Sequence, residues 1–204
     1  MVVFRGMTVD EYKSNCMTFQ LLYAFRRTPF GKCLVAVTDT DGDVAYLTFV
    51  DDDDDETKAI GDLKAKWPLT KISEDIGNKT ETVVVRIFHP DGSQLRSVRV
   101  LMKGTEFQIK VWRSLTEIPG GSVTTYEEVA RMTDCKAAIA VGSAISKNYV
   151  AYVVPCHRVT AKRANARGTK YAWGLERKHA ILEYEKQIPP TLQKYRAVPE
   201  QDTL

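Results

Sequence analysis

Cys156 and His157 stand side by side in Pro155-Cys156-His157-Arg158-Val159, directly after the apolar run Tyr149-Val150-Ala151-Tyr152-Val153-Val154. A thiolate is a strong nucleophile, and a nearby imidazole or other positive partner raises the thiolate fraction. Neighbouring side chains in a chain seldom face each other, so a working Cys-His pair needs further groups to aim it. A buried, inert cysteine is the ordinary alternative. Cys16, Cys33, Cys135 and His89 form no Cys-x-x-Cys or His-x-x-x-His arrangement, so no zinc site is expected. Four scattered cysteines also fall short of a disulfide framework, which points to a reducing compartment.

The elements that must position this pair follow from periodicity and turn chemistry. Phe19 to Tyr23, Lys32 to Thr38 and Val44 to Val50 are rich in β-branched and aromatic residues, and Thr40-Asp41-Gly42-Asp43 supplies a hairpin turn. An antiparallel sheet is expected there. Asp51 to Asp55 with Glu56 reads as a solvated loop, followed by a helix near Thr57 to Trp67 that Pro68 stops. Residues 69–82 read as a linker, and Thr82 to Phe88 with Leu95 to Met102 as a second hairpin around His89-Pro90-Asp91-Gly92.

Beyond residue 102 the spacing becomes helical. Phe107, Val111, Trp112 and Leu115 share one helix face. Thr124 or Thr125 caps a helix running to Met132, Thr133-Asp134-Cys135 turns, and Lys136 to Ser146 forms a second helix lined with small residues. Two short helices so joined suit a helix-turn-helix, although helical hairpins without a DNA role share the pattern.

Composition agrees with such a division. Residues 1–100 hold 13 Lys and Arg against 16 Asp and Glu, whereas residues 101–204 hold 16 against 10. The basic half carries the cysteine motif, as a polyanion-binding half would. No run approaches the length of a membrane span, and an intracellular, soluble protein without membrane association is expected.

The ordered features around the motif resemble the O6-alkylguanine-DNA alkyltransferase family. They are Glu106-Phe107-Gln108, Val111-Trp112, Ile118-Pro119 with Gly121, Thr125-Tyr126-Glu127-Glu128-Val129-Ala130, Ala140-Val141-Gly142, Asn148, the Pro-Cys-His-Arg-Val run, Trp173-Gly174-Leu175 and Glu185. The resemblance is close over residues 103–187 and loose before them. It implies an α/β (α+β) fold: an N-terminal, ribonuclease H-like antiparallel-sheet domain at 1–102, a mostly helical DNA-binding and alkyltransferase domain at 103–187, and a tail at 188–204. Some relatives carry an N-terminal zinc, but Thr38 and Ala45 fall near two of its ligand positions and cannot serve.

The resemblance also implies roles. Cys156 is the alkyl acceptor, His157 takes its proton through an ordered water, Glu185 orients His157, Asn148 braces the turn, and Tyr126 protonates the departing base. Arg158, whose guanidinium cannot exchange protons near neutral pH, is read on that chemistry as anchoring the loop. Gln108, Thr125, Tyr126, Lys136, Ile139 and Lys162 are the expected DNA contacts, and residues 160–171 the loop over the pocket. The expected partner is double-stranded DNA carrying O6-alkylguanine, with O4-alkylthymine as a second lesion, no cofactor and, in a eukaryote, a nuclear location. Ile139 departs from the arginine usual at its position, and Ala151 from a pocket-lining proline. Two other functions stay open: a lesion-binding protein that recruits repair factors without transferring the alkyl group, and a Cys-His hydrolase.

Overall fold

In the computed structural model of the protein, residues 2–88, 98–162 and 170–187 are described. The expected turn at 89–92, most of the expected pocket loop and the tail from 188 lie outside them. The first half runs β1 (Val2–Met7), α1 (Val9–Asn15), β2 (Leu21–Thr28), β3 (Gly31–Thr38), β4 (Val44–Phe49), α2 (Asp53–Lys66), β5 (Ile72–Glu74), α3 (Lys79–Ile87) and β6 (Val98–Lys103). The second half runs α4 (Glu106–Thr116), β7 (Thr124–Thr125), α5 (Tyr126–Met132), α6 (Ala138–Ser146), β8 (Val159–Thr160) and α7 (Leu175–Gln187).

Six strands make one sheet in the order β1-β6-β4-β3-β2-β5. β2, β3 and β4 are antiparallel, as their β-branched and aromatic residues and the Thr40-Asp41-Gly42-Asp43 turn predict. The sheet as a whole is mixed, because β1 pairs with β6, β4 with β6 and β2 with β5 in parallel. Parallel partners must be distant in sequence, and Val2 meets Val98, so no local turn signal announces them.

Three sequence expectations are corrected. Residues 69–82 are not wholly a linker, since β5 and the first turn of α3 lie within them. Thr82 to Phe88 is not a strand: Thr80, Val83, Val84 and Ile87 are buried along one face of α3, so helical spacing overrides the β propensity of Val83-Val84-Val85. The acidic run is not wholly a loop either. Asp52 caps α2, accepting from the Asp55 amide at 2.9 Å, and the following acids occupy the helix's first turn, where its dipole favours negative charge.

The two halves share one apolar core. Trp112 donates its indole N–H to Ala144 O at 2.9 Å, fixing α4 against α6, and Gly104 lets the Trp112 ring approach, since a Cβ there would lie 2.7 Å from it. Across the halves, Trp173 donates to Thr48 Oγ1 at 2.7 Å, and Arg177 reaches Phe30 O at 2.9 Å and Asp51 Oδ1 at 2.5 Å. Among the described residues, no helix is long and apolar enough to cross a membrane.

Candidate active site and DNA-facing surface

The thiol sits on a short bend that secondary structure alone does not explain. Tyr152 adopts a left-handed conformation (φ 63°), and Cys156 opens a single 3-10 turn, Cys156–Arg158, behind Pro155. Asn148 holds this bend from inside. Its Oδ1 accepts from the Val150 amide at 2.9 Å, which leaves Nδ2 to donate to Val154 O at 2.9 Å and to Cys156 Sγ at 3.2 Å.

Burial pushes the Cys156 thiol up to about 11, against the opposing pull of the Asn148 hydrogen bond and the nearby Lys178 ammonium. At rest the sulfur therefore keeps its proton. Lys178 is itself buried, donating to Val159 O at 2.9 Å. Burial lowers its pKa, and the charge of Cys156, when present, raises it.

His157 is fully buried, and its Nε2 lies 3.1 Å from Glu185 Oε1. Burial pushes the imidazole's pKa down more than Glu185 raises it, so the ring is neutral near pH 7. A carboxylate can only accept, so Nε2 carries the ring proton and Nδ1 presents a lone pair. That Nδ1 is buried and lacks a hydrogen-bond partner among the described residues.

Glu185 is the hub. Burial opposes its ionisation, but the His157 hydrogen bond and the Arg158 charge hold its carboxyl well below the usual carboxylate range. Arg158 donates Nε to Oε2 at 3.0 Å and Nη2 to Oε1 at 2.6 Å, and the Gly121 amide donates to Oε2 at 3.0 Å. Arg158 Nη1 also reaches Ile118 O at 2.5 Å. Arg158 thus ties the thiol turn to both α7 and the segment before β7.

Tyr126 opens α5, capped by Thr125, whose hydroxyl accepts from the Glu128 amide at 3.2 Å. Its ring lies against Gly142 of α6. Burial, and then the charge of Cys156, raises the Tyr126 pKa, so its hydroxyl is protonated at neutral pH. The turn Thr133-Asp134-Cys135 closes as expected, with Asp134 left-handed (φ 50°) and the Cys135 amide donating to Ala130 O at 2.8 Å. α6 then begins at Ala138, and Ile139 is 89% exposed, which excludes a core role for it. Lys136 and Lys162 are exposed. Gln108 is half-buried and occupied locally, its Oε1 accepting from the Thr105 amide at 3.0 Å in a capping box.

Sequence reasoning missed Lys178, which stands beyond the motif with no local signal of its proximity to the sulfur. Among the described residues, no group of three or more His, Cys, Asp or Glu side chains could hold a metal ion.

A half-buried thiol, a neutral imidazole with an unpartnered Nδ1 and a carboxylate that fixes the imidazole's tautomer lie together in the half of the chain that carries the helix-turn-helix. Residues 106–187 match the family model for the 6-O-methylguanine DNA methyltransferase DNA-binding domain. The methylated-DNA–protein-cysteine methyltransferase of Methanosarcina acetivorans is 32% identical over 166 residues, covering 81% of this chain and 98% of the relative. That of Methanosarcina mazei is 47% identical over 90 residues, covering 44% of this chain and 56% of the relative. A crystal structure of the Mycobacterium tuberculosis OGT in complex with DNA superposes with a TM-score of 0.60 at 27% identity, covering 85% of this chain and 98% of that one. The chain belongs to the O6-methylguanine DNA methyltransferase family.

Proposed function

We propose that the protein repairs O6-alkylguanine in duplex DNA by moving the alkyl group, once and irreversibly, onto Cys156. The observation that carries this reading is the Cys156 thiol hydrogen-bonded by Asn148 beside a His157 whose Nδ1 is free to accept a proton. Chemistry at O6 requires the base outside the stack, at a cost of about a few kcal/mol. Tyr126 and the exposed Lys136 and Ile139, around the helix-turn-helix, form the surface that meets the duplex, with Thr125, Gln108 and Lys162 at its margins.

In the transfer, Sγ attacks the alkyl carbon in line. The S–C bond forms as the C–O6 bond breaks, and the electron pair leaves on guanine. The thiol proton passes through water to His157 Nδ1, while the Tyr126 hydroxyl protonates the departing base. Tyr126 is then reprotonated by way of His157 and solvent, so the thiol's hydrogen ends on guanine. A thioether does not revert, so each molecule acts once.

We read residues 1–102 as the supporting α/β unit and 103–187 as the transfer unit. The site of action is the genome, within the nucleus in a eukaryotic source and in the cytoplasm otherwise.

Intact mass spectrometry after incubation with a duplex containing O6-methylguanine tests the proposal. One methylene per molecule should appear on Cys156, none on Cys156→Ser, and DNA binding should survive in that variant. Tight lesion binding with no mass change would instead favour a recruiter, and repeated turnover a hydrolase.

A further inference from the structure

β4 and β6 begin as parallel neighbours, with Val44 paired to Val100. Continued in register, Leu47 would face Lys103. It does not. Leu47 instead donates to Tyr149 O at 3.1 Å and accepts from the Ala151 amide at 2.8 Å, in an isolated parallel bridge centred on Val150. The sheet has split, and the segment just before the thiol turn fills the gap.

The other side of the split is closed by one hydroxyl. Lys103 points its N–H and C=O away from β1, whose Met7 O is taken by the Gly104 amide at 3.1 Å. The Tyr149 Oη accepts from Lys103 N at 2.5 Å and donates to Lys103 O at 3.1 Å. The Tyr149 backbone therefore binds one strand and its side chain the next. Its ring is buried, stacked on Tyr46 at 6.1 Å and edge-on to Trp112 at 5.7 Å and Trp67 at 6.5 Å.

Tyr149 directly follows Asn148, whose side-chain amide donates to the sulfur at 3.2 Å. We propose that the Tyr149 hydroxyl is a positioning group for the transfer reaction: by bridging the split between β4 and β6 at Lys103, it sets the Asn148 donor at Cys156. The inference rests on Cys156 being the alkyl acceptor. Nothing in the motif signals it, because the pairing of a tyrosine hydroxyl with a single strand-end peptide exists only in the folded chain.

Tyr149→Phe keeps the ring packing and removes both hydrogen bonds. Single-turnover transfer from an O6-methylguanine duplex should slow about tenfold, with duplex affinity unchanged. The pH profile should move to higher pH as the thiol loses its aligned donor. Asn148→Ala with Tyr149→Phe should be no slower than Asn148→Ala alone, since the hydroxyl acts through that amide. Additive losses, or an unchanged pH profile, would overturn the proposal.

If wild-type protein transfers no methyl group, the transfer reading fails. The positioning role is then judged by the pH dependence of Cys156 alkylation by iodoacetamide, which should still shift in Tyr149→Phe. Should that variant not fold, hydrogen exchange of the wild-type Lys103 amide decides. Strong protection is expected, and exchange as fast as an exposed amide would refute the bridge.

Discussion

Glu185→Gln isolates the role of one charge at nearly constant shape. Glu185 accepts from His157, Arg158 and the Gly121 amide, all donors. A glutamine there offers one acceptor and one donor. If its amide nitrogen faces Gly121 and Arg158 Nε, donors oppose donors. If it faces His157, the imidazole must turn its lone pair to Nε2 and place the proton on Nδ1, which then cannot accept from the thiol. Either arrangement also leaves the Arg158 guanidinium buried without a counter-charge, a loss of about 3–5 kcal/mol. At about 2–4 °C per kcal/mol for a chain of this size, melting should fall clearly. Loss of a general base slows a reaction by about 10²–10⁴, so transfer measured below melting by rapid quench with tritiated methyl duplex should fall in that range, short of the complete loss in Cys156→Ala. The sign of the pH effect is also fixed. The folded carboxyl is held below its ordinary value of 4.5, so its stabilisation is present above that value and fades as pH falls; wild type should lose more stability on acidification than the variant. A variant that transfers methyl as fast as wild type would remove Glu185 from the relay.

Ile139→Arg should leave melting unchanged, because the side chain is 89% exposed, yet speed transfer from a duplex by offering a cation and hydrogen bonds beside the vacated stack, with transfer from single-stranded O6-methylguanine unaffected. Equal effects on both substrates would show that Ile139 does not act during base extraction. Cys156 should resist iodoacetamide near neutral pH without DNA and label faster as pH rises toward about 11. Its raised pKa contributes stability below its ordinary value of 9.0 that is lost between there and about 11, so chemical denaturation should show a smaller alkaline loss for Cys156→Ala than for wild type.

What the sequence disclosed depended on how local each signal is. The helices around Trp112 and Val129 and the cap at Thr125 announce themselves by spacing and residue type, and their structure follows those signals. β1 and β5 do not, since their partners are remote, Val98 for Val2 and Leu21 for Ile72, and β5 is only three residues long. Val83-Val84-Val85 carries a strand propensity that packing reverses. At the site, the Cys156-His157 pair is visible in one line of sequence, and family resemblance adds Asn148 and Glu185. Lys178 and Tyr149 stay hidden: a lysine on a polar helix and a tyrosine in an apolar run have ordinary readings until the fold brings one near the sulfur and the other to Lys103.

The resting site is chemically quiet, and that follows from the same burial that makes it useful. A permanently ionised thiolate would meet any soft electrophile that reached it, and a protein that acts once would be spent on the wrong target. Burial instead holds the sulfur protonated and the imidazole neutral. Asn148 and Lys178 stabilise the anion without overcoming that penalty, so in the proposed transfer they contribute most as the proton leaves sulfur, before the charge passes to guanine in the attack. In the proposed transfer reactivity is then conditional on geometry: an alkyl carbon must sit in line with Sγ, with Tyr126 placed to protonate the leaving base. The Asn148 donor, fixed through the sheet at Lys103, supplies part of that pre-arrangement, which is why the split between β4 and β6 belongs to the chemistry as well as to the fold.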